Sequence, residues 1–263
     1  MRSIPAALAG LSALVLMPVS SLLPSPAAAM VGDAPPASAS IARHVVMIVG
    51  SHGTSCTGTL ISQSVVLTAA HCVQPGSDYK LVRFDAARNP TLLPVATIAR
   101  HPGFEMAALL GHRATADVAL LKAESPLPAS FAPAPLARRT EIAVGDAFTV
   151  AGMGVAVRGD GRSGGTVRAA SLVATGQPGS LQLRLVDAAT KGEQPGRGAC
   201  TGDSGAPAFA EEDGRLAVAG VVSWSTGPKL TAGCGGLTGV TPLSRYRSWI
   251  AEAAQKLGTR LAP

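Results

Sequence analysis

Charged and aromatic residues are both scarce in this chain. Only 14% of its 263 residues are Asp, Glu, Lys or Arg, and only 3% are Phe, Trp or Tyr. The low charge, set beside 47% hydrophobic residues, excludes a disordered polymer and leaves ample material for a core. Basic clusters are missing as well. Nothing exceeds Arg138-Arg139, so the net charge of +6 gives nucleic-acid binding little support. Four cysteines are too few for a small disulfide-built scaffold, and none stands in a Cys-x-x-Cys pair that would suggest zinc. They suffice for two bridges in an exported domain. The 30 glycines and 20 prolines show no period, which excludes a collagen-like repeat.

A long unbroken apolar run is also absent. Arg2 is the only charge before Asp33, and residues 6–19 are apolar, but Pro18, Ser20 and Ser21 interrupt the stretch. A membrane span needs about 20 such residues in succession. Pro24 and Pro26 then lead to Ala27-Ala28-Ala29, a small-residue exit. This layout is that of a secretory signal over residues 1–29, cleaved after Ala29. The expected mature chain is 30–263, 234 residues carrying +5, secreted to an extracellular or periplasmic destination with no stable membrane association.

What remains reads as short strands and glycine-rich turns. Apolar or β-branched stretches occur at 45–49, 59–61, 65–69, 79–84, 95–99 and 118–121. After a Pro- and Ala-rich crossing at 124–135, a second set follows at 147–151, 165–172, 182–186, 207–210 and 216–224. One helix is expected, from Leu243 onward, where Tyr246, Trp249, Ile250, Ala253, Ala254 and Leu257 recur at three- and four-residue steps before Gly258. Many strands, little helix and a long middle connection favour two β-barrels, or a sandwich, over an α/β fold.

Three segments carry chemistry. His71 follows an apolar strand and adjoins Cys72; alone it reads equally as a buried structural histidine. Asp117 opens the apolar run Val118-Ala119-Leu120-Leu121, where a buried carboxylate needs partners. Ser204 stands in Gly202-Asp203-Ser204-Gly205, a tight turn able to project a hydroxyl beside exposed N–H groups. Together they make a serine nucleophile, a histidine base and an orienting carboxylate, with the N–H groups of Gly202 and Ser204 as an oxyanion hole.

These residues, with Cys56-Thr57-Gly58-Thr59-Leu60-Ile61, Leu67-Thr68-Ala69-Ala70-His71-Cys72, Ala206-Pro207 and Val222-Ser223-Trp224, are similar to the trypsin/chymotrypsin family of serine proteases. The chain order His, Asp, Ser separates it from α/β-hydrolases and subtilisin-like enzymes. The resemblance implies an all-β fold of two six-stranded antiparallel barrels with a C-terminal helix and a site between the barrels. It assigns His71, Asp117 and Ser204 as catalytic. It implies bridges Cys56–Cys72 and Cys200–Cys234. It places substrate along Ser223, Trp224 and Ser225 by strand addition, with Gly198 and Ala199 at the specificity pocket. No cofactor or metal is implied. The implied partners are a peptide or protein substrate and protein protease inhibitors, and the expected state is a monomer.

In this family the mature amino terminus pairs with the aspartate before the nucleophile, here Asp203. Met30-Val31-Gly32-Asp33 stands at the matching distance and coincides with the signal exit, so Met30 is the expected terminus. Gly198, six residues before Ser204, occupies the position of the aspartate that selects Lys or Arg. That absence favours a small or medium uncharged residue before the cleaved bond, with Lys/Arg cleavage as the alternative. Asp187 or Glu193 remain candidates to enter from a neighbouring loop. Thr57 and Ala206 replace usual glycines. Few disulfides and an Ala-, Gly- and Arg-rich composition suggest a bacterial source. His44, His52, His101 and His112 read as loop or strand-edge residues. A catalytically silent binding or adhesion protein of the same fold is the alternative function.

Overall fold

The computed structural model describes residues 30–85, 87–111, 113–177 and 180–261. The expected signal, 1–29, lies outside the described residues, as does His112.

Twelve strands close into two antiparallel barrels. The first is built from β1 (Val45–Gly50), β2 (Ser55–Ser62), β3 (Val65–Thr68), β4 (Tyr79–Phe84), β5 (Pro90–Arg100) and β6 (Ala119–Ala123), in the order β1-β2-β3-β6-β5-β4. The second contains β7 (Ala147–Gly152), β8 (Arg168–Gly176), β9 (Leu183–Val186), β10 (Pro207–Glu212), β11 (Arg215–Ser225) and β12 (Thr238–Pro242), ordered β10-β11-β12-β9-β8-β7. Closure leaves no sheet edge open to other chains. Local chemistry explains individual joints. Asp213 and Gly214 both take positive φ, 51° and 72°, as a two-residue hairpin between β10 and β11 requires.

Short helices decorate the barrels: α1 (Ala39–Ala42), α2 (Met106–Leu110) and α3 (Arg247–Lys256). The terminal helix begins later than its periodicity suggests, because Leu243–Arg245 forms a separate 3-10 turn. The sequence reading missed α1, α2 and the strand β12. It also shortened β5, whose Pro94 and nearby bulge at Val95–Thr97 break the usual strand signature.

Three apolar clusters hold these parts together. Ile48, Leu60, Val66, Leu81 and Leu121 fill the first barrel. Phe148, Leu172, Leu183, Leu185 and Val240 fill the second, joined there by Met30. Between them, Ile61, Leu67 and Leu120 meet Phe209, Val221 and the α3 residue Ile250. The crossing is stitched to both sides. Ala134 N donates to Leu60 O, and Val218 N donates to Pro135 O. The seam is therefore a packed interface, which lets one barrel position groups against the other.

Removing a ring from the second core tests this packing. Phe148 is 1% exposed, and Phe148→Ala is expected to cost about 3–5 kcal/mol in denaturant unfolding.

Candidate active site

His71 is presented by the turn that ends β3. Ala69 is extended, and a single 3-10 turn, Ala70–Cys72, then carries the imidazole out of the barrel wall. The disulfide Cys56–Cys72 fastens that turn to β2. Asp117 stands just before β6, with its side chain 1% exposed. Such a carboxylate must have its oxygens paired. Oδ1 accepts from the His71 backbone N–H at 2.9 Å. Oδ2 accepts from His71 Nδ1–H at 2.7 Å and from the Ser223 hydroxyl at 2.5 Å. With Nδ1 donating, the Nε2 lone pair is free to accept a proton.

The other half of the site comes from the second barrel. Asp203 is fully buried, and its oxygens accept from Gly154 N and Cys200 N, each at 2.9 Å. Asp203 N donates to Cys200 O at 3.0 Å, closing a four-residue turn. Gly202, third in that turn, has φ +93°, and a Cβ there would lie 2.8 Å from Gly154 Cα. Glycine is required on both counts. Among the described residues, the N–H groups of Gly202 and Ser204 make no hydrogen bond, leaving two open donors at the turn. The Ser204 hydroxyl likewise makes none, so it is not joined to His71 in this resting geometry.

Thr57, read from the sequence as a minor replacement, links the two halves. Its N–H donates to Ser204 O at 2.8 Å. Its hydroxyl donates to Gly202 O at 2.8 Å and accepts from Met153 N at 3.0 Å. A glycine could make only the first of these contacts. Its side chain is fully buried, so both hydroxyl contacts are made out of reach of water.

Around the expected pocket, the disulfide Cys200–Cys234 joins the two loops that bracket it. Gly198 and Ala199 are buried, and Ala199 N donates to Thr238 Oγ1 at 3.0 Å. Thr238, itself 0% exposed, pairs with Ser225 across β11 and β12. Thr238 thus joins β12 to the Ala199 wall through its hydroxyl, a role the sequence alone does not show. Ser225 Oγ is bonded to Gly233 O at 3.3 Å. Asp187 serves its own loop, accepting from Ala189 N and Arg197 N, and Glu193 is exposed. At the other end of this region Met30 is buried, and Val31 N donates to Gly198 O at 3.1 Å.

The family model described as Trypsin matches residues 31–250. The chain belongs to the trypsin family of serine proteases. Among curated proteins, the vitellin-degrading protease of Bombyx mori is 32% identical over 225 residues, covering 79% of this chain and 78% of the relative. Kallikrein-11 of Homo sapiens is 26% identical over 208 residues, covering 75% and 71%. Mouse neuropsin, a serine protease expressed in the limbic system of the brain, matches in structure with a TM-score of 0.66. That match covers 85% of this chain and 99% of the neuropsin chain at 21% identity, a likeness of fold. These relatives are animal proteins, so they give no support to the bacterial source suggested by composition.

The remaining described histidines of this trypsin-family chain have local partners. His44 Nδ1 contacts Ala132 O at 2.7 Å, and burial lowers its pKa. His52 meets Ser77 Oγ, while His101 packs against Tyr246 and Trp249. Cys56, His71 and Cys72 cluster closely enough for a metal, but both sulfurs are spent in their disulfide and offer no thiolate. No helix among the described residues is long and apolar enough to cross a membrane.

Thr57→Val keeps the side-chain shape and strands Met153 N–H and Gly202 C=O, each loss costing about 1–3 kcal/mol. We expect kcat to fall about tenfold or more with KM little changed, and Thr57→Ser to restore it. Steady-state kinetics of both variants would check this; unchanged kcat with lowered stability would reduce Thr57 to a structural role.

Proposed function

We propose that the chain is a secreted serine endopeptidase in which Ser204 is the nucleophile, His71 the base and Asp117 the orienting acid. The observation that supports this most is the base–carboxylate pair facing a glycine-framed serine turn with two open N–H donors. Ser204 Oγ attacks the peptide carbonyl while its proton passes to His71 Nε2. The carbonyl oxygen takes up negative charge between the N–H groups of Gly202 and Ser204, a contribution of about 3–4 kcal/mol per donor in such sites. Protonated His71 is stabilised by Asp117 and gives its proton to the departing amine. A water, deprotonated by the same imidazole, then hydrolyses the acyl-enzyme. The strand Ser223–Ser225 pairs with extended substrate.

Two preferences for the residue before the cleaved bond rest on different observations. Kinship favours cleavage after Lys or Arg, since the family model matched is trypsin's own. The uncharged preference rests on the pocket residues alone: Gly198 supplies no carboxylate, Asp187 is held in its loop, and Thr238 crosses toward Ala199.

Residues 1–29 act in this reading as a signal whose removal creates the amino terminus at Met30. Asp203 supports it. Burial drives this carboxyl up to about 7 despite two backbone donors, and no cation faces it among the described residues. In this reading an ammonium released at Met30, whose side chain is buried in the second barrel's core, supplies that partner.

A peptide library cleaved by the mature protein tests the reading. Ser204→Ala is expected to reduce kcat/KM by about 10⁴-fold or more. Retained cleavage would reject the nucleophile. The pocket residues predict small or medium uncharged residues before the bond, and dominance of Lys or Arg would establish the preference that kinship favours. The terminus has its own test: protein starting at Met30 against protein extended by Ala29. Without the ammonium, native Asp203 holds its proton up to about pH 7, above its unfolded value of 3.8. Stability of the extended form should therefore fall as pH rises from about 4 through 7, then level. The Met30 form should not show this fall, and unfolding curves that run parallel would contradict the pairing.

A further inference from the structure

A groove of about 710 Å³ is lined in part by Ser223, the residue that donates to Asp117. One bank is the end of α2, where Leu110 is 74% exposed. The other is the loop after β11, where Leu230 is 69% exposed. Trp224 lines the same groove. Two apolar side chains this exposed in one groove are poorly explained by folding, because neither gains from burial in the chain itself.

The charge of the groove is one-sided. Arg113, just beyond α2, and Arg184, on β9, both line it, and the lining contains no Asp or Glu. Both arginines are exposed. Among the described residues neither guanidinium has an ion pair or a hydrogen bond. Arg138 and Arg139, elsewhere on the surface, are matched with Asp213, Glu212 and Asp146. The same cleft also contains Ser223, Trp224 and Ser225, along which an extended peptide would add as a strand. A strand advances about 3.3 Å per residue with side chains alternating in direction, so successive upstream residues face different walls.

We propose that this groove receives the substrate segment upstream of the cleaved bond and selects an acidic side chain there through Arg113 and Arg184, with apolar neighbours covered by Leu110, Trp224 and Leu230. The selection deepens the endopeptidase reading and rests on it. Guanidinium forks suit a carboxylate in two-pronged contact. A lysine in the same place meets two like charges and no partner.

The test uses peptides with the residue before the cleaved bond held constant. Positions two to five upstream are set in turn to Glu, Gln or Lys. At one or more positions, kcat/KM should follow Glu over Gln over Lys, with about fivefold or more between Glu and Lys, shrinking as salt is added. An Arg113→Glu, Arg184→Glu double variant should reverse the order. Equal rates for the three peptides, or an order that survives in the double variant, would overturn the proposal. Should no peptide be cleaved, the same peptides are titrated onto Ser204→Ala by fluorescence anisotropy. Binding in the order Glu, Gln, Lys then supports the groove while rejecting the peptidase reading, and binding without order rejects the groove.

Discussion

Withdrawing the Asp203 carboxylate from water is costly unless its oxygens find partners, and the chain supplies two backbone N–H groups, from Cys200 and Gly154. Those two contacts fix where the loop before β10 can go. With Asp203 turned inward, its neighbour Ser204 keeps partial exposure, and Gly202 takes the positive φ the turn requires. A Cβ on Gly152 or Gly154 would strike the Asp203 side chain at 2.0 or 2.8 Å, so two further glycines exist to admit it. The pair of amides leaves the carboxyl with its pKa still pushed up to about 7. In the proposed reading, an ammonium at Met30 is what would answer that demand.

The rest of the site is a matter of bringing two barrels to one line. The first contributes His71 and Asp117, the second Ser204 and Ser223, and no single barrel contains the whole set. Hydrogen bonds cross the seam at the site. Ser223 donates to Asp117 at 2.5 Å, and Thr57 holds Ser204 O through its N–H and Gly202 O through its hydroxyl. A packed apolar interface of Leu67, Leu120, Phe209 and Val221 stops the barrels from sliding, which is what makes bonds of this length usable for positioning.

The sequence made some of this readable and concealed the rest for physical reasons. Strands such as β1 and β3 announce themselves because they are apolar and largely β-branched. Asp117 is conspicuous because a carboxylate opening such a run must be paired. Ser204 is conspicuous because glycines flank it. By contrast β12, Thr238–Pro242, looks like loop: Thr, Gly and Pro dominate it, and it is a strand because β11 and β9 pair with it from distant parts of the chain. Thr57 and Thr238 were invisible for the same cause. Each acts through a hydroxyl whose partner lies 145 and 39 residues away, and one chain without its fold carries no record of that contact. The bacterial source was read from composition, which reports on no contact and no site.

The central claim is that Ser204 is an activated nucleophile, and a serine-directed phosphonate tests it most directly. Mature protein would be incubated with the reagent, digested and mapped by mass spectrometry. The account predicts one adduct per chain, on the peptide containing Ser204, lost when His71 is replaced by alanine. No adduct on folded protein, or an adduct on another residue, would contradict it.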